Sequence, residues 1–351
     1  MGERFRINAR PALLTAFILS SEARLRKWES CAGAGTLRET EPESRILDLP
    51  MLRIFGTILA GLLGLAFGSF LNVCLSRWPE GESVVKPRSH CRNCGRTLTW
   101  WENVPVVSWI ALRGRCRTCK EGISWRYPAV ELAVGALWAV QSWTMGEATQ
   151  CLSFSMSGLL VLVVYFVGPF AFLWLLVALA ALDAENLWLP DRLTLLGTVV
   201  GIIIAALHKY FLEGSILTPV NFTNLFLSGS MLHFWLDRLF AILAPSVLIL
   251  LIRWAYWLIR RREGIGLGDA KLMAMLGAWL GLSGALLSFG IGVVVGALFA
   301  VCALALTAGQ HESENRLAAK LPLGTFLCIG GIFSALWGQP IIETYKRWAG
   351  L

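Results

Sequence analysis

Two cysteine pairs and two short acidic stretches are the parts of this 351-residue chain best equipped for chemistry. Cys91 and Cys94 are two residues apart, as are Cys116 and Cys119, and glycines (Gly95, Gly122) sit beside the pairs. Four thiolates on two such knuckles close a tetrahedral zinc shell with no position left for water, so the expected work of the metal is structural. Flanking Arg and Lys favour the thiolate form. His90 is a competing ligand, but the cysteine set is already complete. The acidic stretches are Asp183-Ala-Glu185 with Pro190-Asp191, and Gly264-Ile-Gly266-Leu-Gly268-Asp269-Ala-Lys271. Two aspartates held together share one proton, letting one act as general base on water while the other polarises a carbonyl. Alternating Gly264, Gly266 and Gly268 permit a tight backbone approach at Asp269, or a plain glycine turn that the aspartate caps. Asp191 after Pro190 is also a natural helix start. Chemistry alone leaves Asp183, Glu185 and Asp191 as open alternatives for the second acid. Lys271 either lowers the pKa of a neighbouring aspartate or caps the loop.

The elements that must position these groups are apolar. Of all residues 56% are apolar and 15% charged, against roughly 45–50% and 25% in soluble domains. With a mean hydropathy of +0.62, a soluble globular enzyme is excluded. Apolar runs fall near 51–75, 128–144, 156–182, 192–209, 239–259, 270–283, 284–307 and 322–338, with a re-entrant or surface helix at 221–237. Their backbones must be satisfied within lipid, which makes them helices. The expected fold is an all-α polytopic membrane protein of about eight crossings, carrying a cytoplasmic zinc-binding loop domain. Its divisions are an N-terminal extension (1–50), a first membrane helix (51–75), the loop domain (76–127) and a membrane core (128–340). The extension reads as mostly irregular, an uncleaved surface element or the product of an upstream start codon, because no small-residue cleavage site follows its apolar stretch. The net charge of +8 is a matter of position: from Arg77 to Arg126 ten Arg or Lys face four Glu. That excess places the loop in the cytoplasm, and the 183–191 and 260–269 linkers with it. A nucleic-acid partner is not expected.

These residues occur in an ordered series: Gly68-Ser-Phe-Leu-Asn72, Arg77 and Pro79, the cysteine pairs, Trp101-Glu102-Asn103-Val-Pro105, Arg113-Gly114, Ser124-x-Arg126-Tyr127-Pro128 with Glu131, Asp183 eight before Asp191, and Gly266-x-Gly268-Asp269-x-Lys271. The series resembles the type IV prepilin peptidases, or leader peptidases and N-methyltransferases, among the membrane aspartyl peptidases with a GxGD motif. It covers roughly 55–340. The resemblance implies a catalytic pair at Asp183 and Asp269, supported by Asp191, Gly266, Gly268 and Lys271. It implies cleavage of prepilins or pseudopilins after a glycine, at the cytoplasmic face of the bacterial inner membrane, in a pilus or secretion system. Methylation of the new amino terminus by S-adenosylmethionine is implied with it, and Asn72, Arg77, Glu102 and Glu131 are associated with that second activity. The implied partners are the pilin substrate and membrane lipid. The basic loop then meets anionic headgroups, or is patterned so that Glu80, Glu82, Glu102 and Glu121 receive a basic leader.

The chain departs from the family pattern in the 1–50 extension, in a long 192–268 interval with a polar insert near 209–224, in Arg92 after the first cysteine, and in Leu323-Gly324-Thr325. Two other classes compete: an ion-coupled transporter, and a non-catalytic membrane assembly protein bearing a zinc knuckle.

Overall fold

The computed structural model describes residues 44–145, 167–212, 231–261, 266–307 and 321–350. In order they form α1 (Ser44–Arg77), a 3-10 turn (Trp100–Asn103), α2 (Val107–Ala111), α3 (Arg126–Met145), α4 (Gly168–Asn186), α5 (Asp191–Leu212), α6 (Met231–Arg260), α7 (Leu267–Thr307) and α8 (Leu323–Ala349). Six of them (α1 from Pro50, and α4 to α8) are long and apolar enough to cross a membrane. The architecture is therefore all-α and multi-spanning, with a cysteine-rich loop between α1 and α3.

Several boundaries differ from expectation. α1 begins at Ser44, so the end of the presumed irregular extension is helical. Residues 231–237, assigned to a separate surface helix, are the first turns of α6. α8 runs through Pro340 to Ala349, eleven residues beyond the apolar run, because its last turns carry charged residues that the hydropathy criterion discards. Positions 1–43, 221–230 and the 156–166 part of the expected third crossing lie outside the described residues, as does most of the 209–224 insert.

Packing is organised around two apolar helices. α4 contacts α1, α3, α5 and α8, while α7 contacts α5, α6 and α8. The core joins Leu71 and Leu75 of α1, Val134 of α3, Leu173 to Leu182 of α4, Leu272 to Trp279 of α7 and Leu327 of α8. In lipid the hydrophobic effect does not drive helices together, so small residues that admit close backbone approach do much of this work. At Gly277 an added Cβ would run into the Ala241 carbonyl of α6. The outer faces of α1 and α6 keep large apolar side chains exposed, among them Phe55, Leu62, Trp254 and Trp257. Lipid is the natural solvent for such faces.

α7 is 41 residues long, about 60 Å if straight against a hydrocarbon core of about 30 Å. It is broken at Gly281, which has φ 71° and ψ −179°, a backbone state that glycine alone enters freely. The expected boundary between crossings at 283/284 falls next to this break. A break strips the preceding carbonyls of their i+4 donors, and Arg238 of α6 supplies one replacement, donating to the Ala278 carbonyl at 3.1 Å. Trp279, just before the break, is pinned by a 2.8 Å bond from its indole N–H to the Gly197 carbonyl of α5.

Candidate active site and metal-binding loop

The C-terminal end of α4 and the N-terminal ends of α5, α7 and α8 come together at one end of the bundle, next to the cysteine loop. Asp183 lies in the last turns of α4, buried among apolar neighbours. Its Oδ2 accepts the Thr325 N–H of α8 at 2.6 Å and the Thr325 hydroxyl at 3.1 Å. Helix N-termini carry unpaired N–H groups and a positive partial charge, so this first turn of α8 is a fitting support for a carboxylate. Asp269 sits in the first turn of α7, also buried, and accepts the Gly266 N–H at 3.1 Å. The glycine turn capped by its aspartate is thus present, and that same aspartate is within electrostatic reach of Asp183.

Leu189 locks these pieces together. A Cβ on Gly268 would lie 3.0 Å from Leu189 Cβ, and one on Gly324 would lie 2.9 Å from Leu189 Cδ1 and 2.9 Å from Asp183 Oδ2. Glycine at both positions lets the α4–α5 linker pass close to the starts of α7 and α8. Asp191 is exposed at the start of α5, where Lys271 of α7 pairs with it at 2.6 Å. Lys271 therefore joins the two linkers and leaves Asp183 and Asp269 to other partners. Glu185 pairs with Arg126 of α3 at 2.6 Å, joining the end of α4 to the end of the loop.

In the loop the two knuckles repeat one backbone pattern. Cys91 N–H bonds the Arg96 carbonyl and Gly95 N–H bonds the Cys91 carbonyl, both at 2.9 Å. Cys116 N–H bonds the Glu121 carbonyl at 2.8 Å, and Lys120 N–H the Cys116 carbonyl at 3.0 Å. All four Sγ atoms lie within 4.8 Å of one another, and Cys91 and Cys119 are 3.7 Å apart. Zinc–sulfur bonds of about 2.3 Å imply tetrahedron edges of about 3.8 Å, so the four sulfurs fit a zinc ion. The backbone N–H groups of Cys119 and Thr118 pull the Cys116 thiol down to about 6, whereas Cys119, despite the Glu121 N–H, is pushed up to about 11 by burial and the other three thiols. Beside the knuckles, Glu102 receives Arg96 at 2.5 Å and the Thr99 N–H and hydroxyl at 2.8 and 2.7 Å. That support, the Arg96 guanidinium first, holds its carboxyl down at about 2.

The four residues that the resemblance associates with a second activity divide into two groups. Asn72 and Glu131 are brought together on α1 and α3: both are buried, Glu131 accepts the Val106 N–H at 2.7 Å, and Ser69 and Asn72 are within its hydrogen-bonding reach. Asn72 donates to the Tyr127 carbonyl at 2.9 Å, and its Oδ1 has no hydrogen-bond partner. Arg77 instead ties down the start of the loop through the Ser83 and Pro87 carbonyls at 2.8 and 2.7 Å, and Glu102 supports the first knuckle. The sequence marked Thr325 only as part of a departure from the family pattern and gave neither it nor Leu189 a role at the site. The Gly324-Thr325 pair at the start of an apolar run was the available signal for the first.

Two family models match parts of the chain. Residues 62–145 match the Bacterial Peptidase A24 N-terminal domain, and residues 170–301 match the Type IV leader peptidase family. A prepilin leader peptidase/N-methyltransferase of Pseudomonas aeruginosa is 32% identical over 324 residues, 86% of this chain and 96% of that protein. The chain belongs to the type IV leader peptidase family. Proteins of the same description from Stutzerimonas stutzeri and Burkholderia pseudomallei are 31% and 34% identical, over 84% and 80% of this chain and 95% and 84% of their own lengths. No solved structure matches the chain. Within the family's two matched regions, the first holds the cysteine loop with Asn72 and Glu131, and the second holds Asp183 and Asp269.

Proposed function

We propose that this chain removes the leader from type IV prepilins or pseudopilins after a glycine, using Asp183 and Asp269, and then methylates the exposed amino terminus. The observation that carries the reading is the meeting of two buried carboxylates from separate helices at one end of the bundle, each fixed by backbone N–H groups. With one proton between them, the ionised carboxylate takes a proton from water as its oxygen attacks the scissile carbonyl carbon. The protonated partner donates to the carbonyl oxygen as charge develops there. Collapse of the tetrahedral intermediate breaks the carbon–nitrogen bond, and the first carboxyl returns its proton to the departing amine. Asp191 and Lys271 brace the linkers. The substrate's apolar helix enters sideways from lipid, so the peptide bond reaches carboxylates at the helix ends.

The loop's charge supports placing this end of an eight-crossing bundle on the cytoplasmic side of the inner membrane. Zinc in the four cysteines holds the two knuckles as one unit. S-adenosylmethionine supplies the methyl group when bound. Asn72 bonds the buried Glu131 carboxylate and keeps an Oδ1 without a partner, so the two side chains together offer acceptors suited to a cationic group and would hold the donor. A carrier reading calls for a symmetric pair of broken helices, whereas among the described helices only α7 has a positive-φ glycine, Gly281, in its interior.

The test is a gel-shift assay of prepilin cleavage by purified Asp183→Asn and Asp269→Asn proteins. Both should fall to background, and retained cleavage in either removes the paired-acid mechanism. The mass of the product's amino terminus, with and without methyl donor, decides the second activity.

A further inference from the structure

A cavity of about 460 Å³ opens beside the second knuckle, lined by Leu112, Arg113, Arg115, Cys116, Arg117 and Lys120. Four of its six lining side chains are cationic, and no carboxylate lines it. Arg117 stacks over the Trp101 ring at 5.2 Å. Among the described residues no acid pairs with Arg113, Arg115 or Lys120. The four cations are solvent-exposed, so water weakens their repulsion without removing it, and an anion seated among them would gain attraction from each; two of these residues also hold a backbone state that favours glycine. Arg113 has φ 54° and Lys120 φ 61°. The position equivalent to Lys120 in the first knuckle is glycine, Gly95, at φ 67°. The second knuckle thus carries a cation where its twin has the sterically cheaper residue.

We propose that this cavity is a phosphate-group site filled by the headgroup of an anionic membrane lipid. Three observations favour lipid as the source. Only five residues lie between Lys120 and Arg126 at the start of α3, a reach of at most about 20 Å, so the cavity stays near the helix ends. The same loop exposes Trp100, Val107, Ile110 and Trp125, apolar groups that water solvates poorly and that a bilayer interface accommodates, tryptophan above all. The loop also carries its ten cations against four acids, and such basic segments are drawn to anionic leaflets. A phosphodiester in the cavity ties the metal-bearing loop to the membrane surface. This inference stands apart from the peptidase reading, since it uses neither aspartate.

The test uses the full-length, zinc-loaded protein in neutral detergent, titrated with short-chain phosphatidylglycerol, short-chain phosphatidylcholine and inorganic phosphate, with binding followed by calorimetry. Lys120→Gly removes a cation while relaxing the backbone, so lost binding cannot be ascribed to misfolding, and unchanged zinc content checks this. Phosphatidylglycerol should bind more tightly than either other ligand. Binding should weaken about five-fold in Lys120→Gly and about 25-fold in the Arg113→Gln/Arg115→Gln pair, as expected for charges some 4 Å away in a water-like dielectric. Equal phosphatidylglycerol binding by all three proteins overturns the site. Inorganic phosphate binding more tightly than the lipid, and lost in the variants, overturns the lipid source.

Discussion

Replacing Gly324 with alanine puts a methyl group into space that Asp183 already fills. The added carbon would stand 2.9 Å from Asp183 Oδ2, 3.0 Å from its Cγ and 2.9 Å from Leu189 Cδ1. Comfortable contact needs about 3.5 Å or more, so roughly 0.5 Å must be found on each side. Leu189 can yield by turning its side chain. Asp183 cannot, because the oxygen under pressure is the one held by the Thr325 N–H at 2.6 Å and hydroxyl at 3.1 Å. Overpacking of this kind costs about 1–3 kcal/mol, which the fold should survive. The larger effect falls on rate. Losing a hydrogen bond to a charged group costs about 1.5–3 kcal/mol, and misplacing a reacting group by about 1 Å can cost 10²-fold. Gly324→Ala should therefore slow prepilin cleavage about 10- to 100-fold at saturating substrate, with a small drop in thermal midpoint. Thr325→Val, which keeps the N–H and loses the hydroxyl, should fall between it and wild type. Initial rates from a gel-shift time course provide the measurement. A Gly324→Ala rate above half of wild type would refute the claim that α8 fixes Asp183 for chemistry.

Two further outcomes follow from pairs outside the buried site. Asp191 and Lys271 form an ion pair with side chains 61% and 38% exposed, and exposed pairs contribute about 0–1 kcal/mol. Lys271→Ala should lower stability by no more than that and leave most cleavage intact; a loss matching Asp183→Asn would place Lys271 in the reaction itself. Glu102 titrates near 2 instead of 4.5. A depressed carboxyl contributes its full stability above the ordinary value and loses it as pH falls from about 4.5 toward 2. Glu102→Gln should cost the loop about 1.5–3 kcal/mol at neutral pH and flatten its stability across that acid window. Limited proteolysis of the loop against pH reads both effects, and an unchanged profile would contradict the Arg96–Glu102 assignment.

Much of this molecule was legible in one dimension because lipid imposes a simple rule: every spanning segment must be apolar and satisfy its own backbone. Long runs such as 51–75 and 192–209 therefore located the end of α1 and both ends of α5 within three residues. Zinc imposes an equally simple rule of spacing, and the Cys91/Cys94 and Cys116/Cys119 pairs obey it. Where the rule weakens, so did the reading. The start of α6 carries His233, Asp237 and Arg238, and these polar residues split 231–237 off as a separate helix, although they begin α6 and the adjoining Arg238 serves a broken neighbour rather than solvent.

The sequence by itself determined which groups are available: four thiols in metal-ligand register, two acidic linkers, and a basic loop whose charge marks one side of a membrane. Apart from the family resemblance, residue chemistry did not decide between Asp183, Glu185 and Asp191, because all three are acids on one short stretch and differ only in what approaches them from elsewhere. Tertiary structure separated them. Glu185 went to Arg126 and Asp191 to Lys271, both near the surface, while Asp183 was buried against Thr325, 142 residues away. The physical reason is that a carboxylate's role is set by burial and by the donors that face it, and those donors come from helix ends that only packing brings together.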